Sequence, residues 1–248
     1  MTTTGSTPLA GQVTLVTGAG RGIGRAIALA YAGAGAHVVV ASRTAAELDA
    51  LVDEVDAAGG AATAVPTDVT SPDAVEQLFA RIDEVGGIDL VMLNAGGLPG
   101  RGPVADSDVS TWNDTLALNL TAAYLCARAA IPRLRARGGG KIILVGSGVG
   151  HRGVPEFSAY ACAKAGQWML TRVLAQELQA DAISVNELIP GPVRTDIGTG
   201  DFGSAATKTF AGEWSKTPDD VVPLALMLAT QPNHGPSAQS FSLMRRDN

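Results

Sequence analysis

Val13-Thr-Leu-Val-Thr-Gly-Ala-Gly-Arg-Gly-Ile-Gly24 is the stretch that decides the fold. A short apolar run, Val13 to Val16, leads into glycines spaced Gly18-x-x-x-Gly22-x-Gly24, with Gly20 between them. An apolar stripe through Ile23, Ile27 and Tyr31 follows at helical spacing, so strand, glycine turn and helix are predicted in that order. Glycine permits tight turning and lets backbone amides approach a phosphate, while the helix N-terminus adds about half a positive charge. The spacing is not G-x-G-x-x-G, because the sixth position from Gly18 is Ile23 and from Gly20 is Arg25. Nor is it a Walker A loop, which needs Lys-Ser/Thr after its glycines. Alone, such a turn could start a helix in any α/β protein; its place after the first strand points to a dinucleotide phosphate.

Outward from this turn the pattern keeps alternating. Val38–Val40 reads as the second buried strand, and Thr44 to Glu47 as a capping box opening a helix with Leu48, Leu51, Val52 and Val55 on one stripe. A strand over 61–65 gives way to Ser71-Pro72-Asp73, an N-cap with proline in the first turn, and then to the stripe Val75, Leu78, Phe79, Ile82. Strands are predicted at 88–93, 141–145, 183–189 and 239–243. One long helix is predicted over 108–135, with polar Asn119 in its apolar interior, a second from Tyr160 to about Gln179, and a last one from Thr217-Pro-Asp-Asp220. Strands alternating with helices of this length mean parallel βαβ units with helices on both faces of one sheet. The predicted fold is a single α/β doubly wound domain over residues 9–248, after a disordered lead-in at 1–8. Ligands in such sheets bind beyond the C-terminal strand ends.

The 248 residues are 46 % hydrophobic and 17 % charged, a globular composition whose length suits one large domain. A net charge of −6 argues against nucleic acid or an anionic membrane as partner, and no apolar run reaches the roughly 18 residues of a spanning helix. Residues 1–8 lack the basic and apolar regions of a secretory signal. Cys126 and Cys162 sit in apolar helical patterns without metal-ligand spacing, which reads as reduced thiols in a cytoplasmic protein. His37, His151 and His234 are scattered, so no metal site is expected; His37 is read as a strand-edge residue, and His151, four after Ser147, is a candidate to face the substrate.

The second strand ends Ala41-Ser42-Arg43, with no carboxylate until Glu47. An acidic residue there would hydrogen-bond the ribose 2′-hydroxyl of NAD, whereas Arg43, joined by Arg21, can grip a 2′-phosphate. NADP is therefore favoured over NAD; the plainer alternative is two solvated surface arginines. Further on, Tyr160 and Lys164 lie four apart in Tyr-Ala-Cys-Ala-Lys and share one helix face. A cation beside a phenol favours phenolate and lowers a pKa of about 10, giving an acid/base for one proton.

Ser147, Tyr160, Lys164 and Asn119, together with the Gly18–Gly24 turn and Asn94-Ala95-Gly96, make the chain resemble the short-chain dehydrogenase/reductase family over roughly residues 10–245, in the family's order and spacing. The resemblance implies a Rossmann-like domain with a seven-stranded parallel sheet in the order 3-2-1-4-5-6-7. It implies Tyr160 as general acid or base, Lys164 tuning it and holding the nicotinamide ribose, Ser147 polarising the substrate oxygen, and Asn119 holding a water that links Lys164 to solvent. The alternative for Asn119 is a side chain bonded to backbone within a long helix. Asp68 and Val69 would border the adenine, and Asn94, Ala95 and Gly96 the cofactor cleft. Pro190, Gly191, Val193 and Thr195 would cradle the nicotinamide end. The alternative for Asn94 is a structural tie between the central strands.

A substrate lid is expected over 195–217, with Phe202, Phe210 and Trp214 as its apolar candidates, and a pocket lined by Leu98, Arg101, Val154, Glu156 and Phe157. The C-terminus, Phe241-Ser-Leu-Met-Arg-Arg-Asp-Asn248, departs from the family's usual strand and paired glycines. The expected activity is NADPH-dependent reduction of a ketone or 3-oxoacyl-type carbonyl, generically similar to 3-oxoacyl-carrier-protein reductases. The alternatives are an NAD-dependent alcohol, sugar or polyol dehydrogenase and, from another class, a non-catalytic dinucleotide-sensing protein. A homodimer or homotetramer is expected through the two long helices, at Leu116, Leu120, Tyr124, Trp168 and Leu174.

Overall fold

The structure is a computed structural model that describes residues 7–194 and 212–244. Seven parallel strands form one sheet in the order β3-β2-β1-β4-β5-β6-β7. They are β1 (Val13–Thr17), β2 (His37–Ser42), β3 (Ala61–Pro66), β4 (Leu90–Leu93), β5 (Gly140–Val145), β6 (Ile183–Ile189) and β7 (Ser240–Ser242). The expected fold class, strand order and flanking helices are all present. Order reverses between β1 and β4, which opens a crevice at their C-terminal ends.

The central strands are apolar on both faces because helices cover both. On one face, α1 (Gly22–Gly33), α2 (Ala45–Ala57) and a late helix (Val222–Thr230) bury Tyr31, Leu48, Leu51 and Ala225 against Val16, Val38 and Met92. On the other, α3 (Pro72–Glu84), α5 (Ala122–Ala136) and α6 (Ser158–Glu177) bury Phe79, Ile82, Cys126 and Leu174 against Leu15, Val91 and Ile142. The chain is already anchored before β1 begins: Leu9 is buried and its N–H donates to the Ala34 carbonyl at 3.0 Å.

Local signals explain most boundaries. Ser71 accepts from the Ala74 N–H at 3.3 Å, and Pro72 fills the first turn of α3. The capping box expected at Thr44 does not form: Thr44 is the N-cap without a side-chain bond, and the Glu47 carboxylate packs against Gly20 instead. A capping box does form at Thr217, whose N–H and hydroxyl donate to Asp220 at 2.7 and 2.8 Å.

The long helix predicted over 108–135 is two helices, α4 (Val109–Leu116) and α5, joined by a wider turn at Ala117–Thr121 in which the Ala122 N–H reaches back to the Ala117 carbonyl. Such π-type turns interrupt helices at functional positions, and Asn119 is at the centre of this one. His37 begins β2 and bonds through Nε2 to Thr63 Oγ1 at 2.8 Å, the structural place expected for it.

Phe79 is fully buried, with the Arg133 guanidinium 5.2 Å above its ring and Arg133 paired to Asp83 at 2.9 Å. Phe79→Ala should cost about 3–5 kcal/mol, from lost burial and the cavity left behind. Denaturant unfolding followed by circular dichroism reads this as a lower midpoint with an unchanged slope.

Candidate active site

The crevice is built on a hydrogen-bonded tie between β1 and β4. The Thr17 hydroxyl accepts from the N–H groups of Asn94 and Ala95 at 3.1 and 3.0 Å, and Asn94 Nδ2 donates to the carbonyls of Thr17 and Gly18 at 3.0 and 3.1 Å. Asn94 thus has the strand-tying role weighed for it. Two glycines make the close approach possible. Gly18 has φ +65°, and a Cβ on it would lie 2.9 Å from Ala95 Cα, while a Cβ on Gly24 would strike the Gly18 carbonyl and lie 2.5 Å from Asn94 Nδ2. Arg21 is the N-cap of α1 and makes no side-chain capping bond, so the first-turn amides at Gly22, Ile23 and Gly24 lack a side-chain cap.

At the end of β2, Ser42 Oγ is buried without a hydrogen-bond partner and lies 3.0 Å from where a Cβ on Gly20 would be. Arg43 is exposed beside it. Asp68 accepts from the Thr70 hydroxyl and N–H at 2.7 and 3.0 Å; these bonds hold its carboxyl below the ordinary range, and Arg43 adds a smaller pull. Val69 is buried next to it. An orphaned hydroxyl, a notch that only glycine leaves open and uncapped helix amides fit a dinucleotide. Glu47, packed in the same notch, was absent from the expected set.

The chemical end comes from β4, β5 and α6. Lys164 is 3 % exposed; its Nζ donates to the Val145 carbonyl at 2.7 Å and Gln167 Oε1 at 2.9 Å, and stands 5.8 Å from the centre of the Tyr160 ring. Tyr160 shares a hydrogen bond with the Ser147 side chain, and Ser147 Oγ accepts from the Val149 N–H at 3.3 Å. A Cβ on Gly96 would lie 2.8 Å from Asn119 Oδ1 and 3.7 Å from Lys164 Nζ, so these three converge. The structure therefore brings Asn119, Ser147, Tyr160 and Lys164 to one place.

One expectation needs correction. Lys164 does not pull the phenol down: burial pushes Tyr160 above its ordinary value, with only the Ser147 bond opposing, because the ammonium is directed to Val145 and Gln167. Burial also lowers Lys164 to about 8, against the opposing pull of Glu187. Asn119, in turn, spends both Nδ2 hydrogens on the carbonyls of Gly97 and Thr115, at 2.8 and 2.9 Å, and its Oδ1 accepts from the Gly97 N–H at 3.0 Å. Its side chain clamps the Asn94–Gly97 loop to the helix, as the backbone-bonded alternative has it.

After β6, Pro190 is buried, and Gly191 turns at φ +71° beside Met244, whose Cγ would lie 2.9 Å from a Cβ there. Val193 bridges to Lys216, and the Arg194 N–H donates to the Lys216 carbonyl at 2.8 Å. Thr195, Phe202, Phe210 and most of the expected lid lie outside the described residues; Trp214 is 70 % exposed. Leu98, Val149, Val154 and Phe157 cluster with Tyr160, and the Gly102 N–H to Glu156 carbonyl bond at 2.9 Å joins the two pocket loops. Among the described residues no group of three or more His, Cys, Asp or Glu side chains has metal-binding geometry. The sequence reading missed Gln167, Met244 and Glu187. Only Glu187 carried a signal, as the lone carboxylate in the strand Ile183–Ile189.

A parallel doubly wound sheet with this turn and this Ser-Tyr-Lys cluster defines an NAD(P)-using oxidoreductase class. Residues 12–202 match the short chain dehydrogenase family, and the chain belongs to it. A 3-oxoacyl-[acyl-carrier-protein] reductase from Synechocystis is 40 % identical over 195 residues, 77 % of this chain and 78 % of the relative. A proposed NAD(P)-dependent gluconate 5-dehydrogenase from Beutenbergia cavernae, solved with bound NADP at low occupancy, superposes with a TM-score of 0.86 at 32 % identity, covering 96 % of this chain and 97 % of that one. A 7α-hydroxysteroid dehydrogenase solved with NADH and 7-oxo glycochenodeoxycholic acid gives 0.88 at 28 % identity, covering 96 % and 94 %.

The two titrations fix a sign. Below about 8 Lys164 is cationic and Tyr160 protonated; as pH rises through about 8 Lys164 loses its charge while the phenol keeps its proton. Reductive kcat/KM measured across pH should therefore fall on the alkaline side around 8, before any phenolate absorbance develops.

Proposed function

We propose that the protein reduces a ketone or 3-oxoacyl-type carbonyl to a secondary alcohol with NADPH. The observation that carries this reading is the half-buried Tyr160 with its hydroxyl bonded to Ser147, raised in pKa and so protonated at neutral pH, with Lys164 above its ring. A protonated phenol is the form a general acid needs. Nicotinamide, when bound, supplies the hydride chemistry. Ser147 holds the carbonyl oxygen, and Tyr160 gives that oxygen its proton. Lys164 keeps a positive charge beside the phenolate this leaves, and solvent returns the proton. Asn119 Oδ1 accepts one bond, from the Gly97 N–H, and keeps a second lone pair for a relay water beside Lys164.

Gly18, Gly20, Gly22, Ile23 and Gly24 take the pyrophosphate, and Ser42 with Arg43 and Arg21 the 2′-phosphate. Asp68 and Val69 flank the adenine. Asn94, Ala95, Gly96, Pro190, Gly191, Val193 and Thr195 line the nicotinamide half. The apolar cluster around Tyr160 and the 40 % identity to a 3-oxoacyl reductase support the substrate class. Glu47 supports a second reading: a carboxylate over Gly20 is an acceptor for ribose hydroxyls, which favours NAD and an alcohol or polyol oxidation. The paired presence of Tyr160 and Lys164 speaks against a non-catalytic sensor. Association into a homodimer or homotetramer rests on Tyr124, Met169 and Val173, which α5 and α6 leave exposed, whereas Leu174 is core. Free Cys126 and Cys162 support a cytoplasmic setting.

Tyr160→Phe should lower turnover about 10²–10⁴-fold while cofactor fluorescence titration still shows binding; wild-type turnover would refute the assigned acid. Arg43→Ala should lower kcat/KM with NADPH about tenfold or more and leave NADH unchanged, as expected when a charge-assisted phosphate contact is lost. An unaltered NADPH/NADH ratio moves the assignment to the Glu47 reading.

A further inference from the structure

Glu187 is fully buried in β6, two residues before the strand end, and no catalytic role described above uses it. Its Oε2 accepts from the Ser240 hydroxyl at 2.5 Å and is 2.9 Å from His151 Nε2. Its Oε1 is buried with no hydrogen-bond partner and lies against Gly146, where any Cβ would collide with it. Glycine at 146 thus leaves room for a carboxylate oxygen. The next peptide back matters as much, because the Val145 carbonyl is the acceptor that anchors Lys164 Nζ. A buried carboxylate and a buried ammonium therefore flank the same short segment at the end of β5.

Such an anion, out of water, is costly unless charge or hydrogen bonds compensate it. The groups facing it are His151 from the loop after β5, Lys164 from α6 and Ser240 from β7. Around them, His151 packs on Trp168 with centroids 5.0 Å apart, Arg172 stacks on Trp168 at 4.9 Å, Tyr160 neighbours Lys164, and Arg152 follows His151 in the loop. His151 is 29 % exposed at its side chain and Ser240 is exposed, so both connect Glu187 to solvent. It was expected to face the substrate; its ring nitrogen is instead engaged with Glu187.

We propose that Glu187 is a positioning residue for the acid/base step: a buried carboxylate that keeps Lys164 cationic and is itself held in place by His151 and Ser240. This rests on the proposed use of Lys164 beside Tyr160. The direction of the Lys164 shift agrees, since burial drives its proton off and Glu187 pulls it back.

The chain has four lysines, Lys141, Lys164, Lys208 and Lys216, so Lys164 can be followed by lysine-selective ¹³C NMR in the cofactor-free protein. In Glu187→Gln, which removes the charge at constant shape, the Lys164 titration midpoint should fall by about one pH unit. The alkaline limb of kcat/KM should move to lower pH with it. His151→Phe keeps a ring on Trp168 but loses the donor, and should shift Lys164 in the same direction by less. Loss of activity with an unmoved Lys164 midpoint in folded Glu187→Gln would reduce Glu187 to a packing role and overturn the proposal. Should that variant not fold, an unmoved midpoint in His151→Phe does the same. Turnover surviving in Tyr160→Phe would instead sink the acid assignment, and the lysine titration stands apart from it.

Discussion

The tie between Thr17 and Asn94 sets the position of everything at the crevice. One hydroxyl accepts two backbone N–H groups of the Asn94–Ala95 loop, and one amide caps two carbonyls at the end of β1. Backbone groups at strand ends must find partners or face water. Here the Thr17 hydroxyl and the Asn94 amide are those partners, so the glycine turn and the Asn94–Gly97 loop are held at fixed separation across the reversal of strand order. The glycines at 18 and 24 are as much a consequence of this tie as of any ligand, because a side chain at either would push the two loops apart. Asn119 extends the same logic from the helix side by clamping Gly97 at both its N–H and its carbonyl.

Upon this rigid frame the site buries opposite charges. Lys164 is enclosed by β5, α6 and Gly96, and burial works against its proton. The sheet answers with a carboxylate on the neighbouring strand. Leu144 in β5 pairs with Glu187 in β6, which places the carboxylate beside the strand end whose last carbonyl holds Lys164. Neither group would be stable there alone.

Most of the fold was legible because its signals are local and repeated. Apolar runs, Ser71-Pro72, and the stripe Val75, Leu78, Phe79, Ile82 each state an element without reference to distant residues. The catalytic cluster was legible through fixed spacing, as with Tyr160 and Lys164 one helical turn apart. What escaped was set by tertiary contacts. The break of the long helix at Ala117–Thr121 follows from Asn119 bonding to a loop 22 residues earlier, which no helical periodicity records. Thr44 lost its capping box because Glu47 had a second use across the crevice, against Gly20. The direction of the Tyr160 shift failed for a related reason. Sequence shows that a lysine shares the helix face, but only packing shows that its ammonium has nearer acceptors.

Under the proposed reading, cofactor choice comes down to the contest between Arg43 and Glu47 at one notch. Arg43 is exposed, so its attraction for a phosphate is screened and worth most when the phosphate docks directly on it. Glu47 rests on Gly20 at the end of a flexible side chain, and an incoming 2′-phosphate of charge near −2 repels it outward toward solvent, where its own charge is readily hydrated. Ser42 then gains the partner it lacks among the described residues. With a 2′-hydroxyl in the notch, Glu47 stays and accepts the bond, while Arg43 has no anion to meet. The same three side chains thus accommodate either ribose, but only the phosphate satisfies both Ser42 and Arg43, and under the proposed reading that asymmetry tips the site toward NADPH.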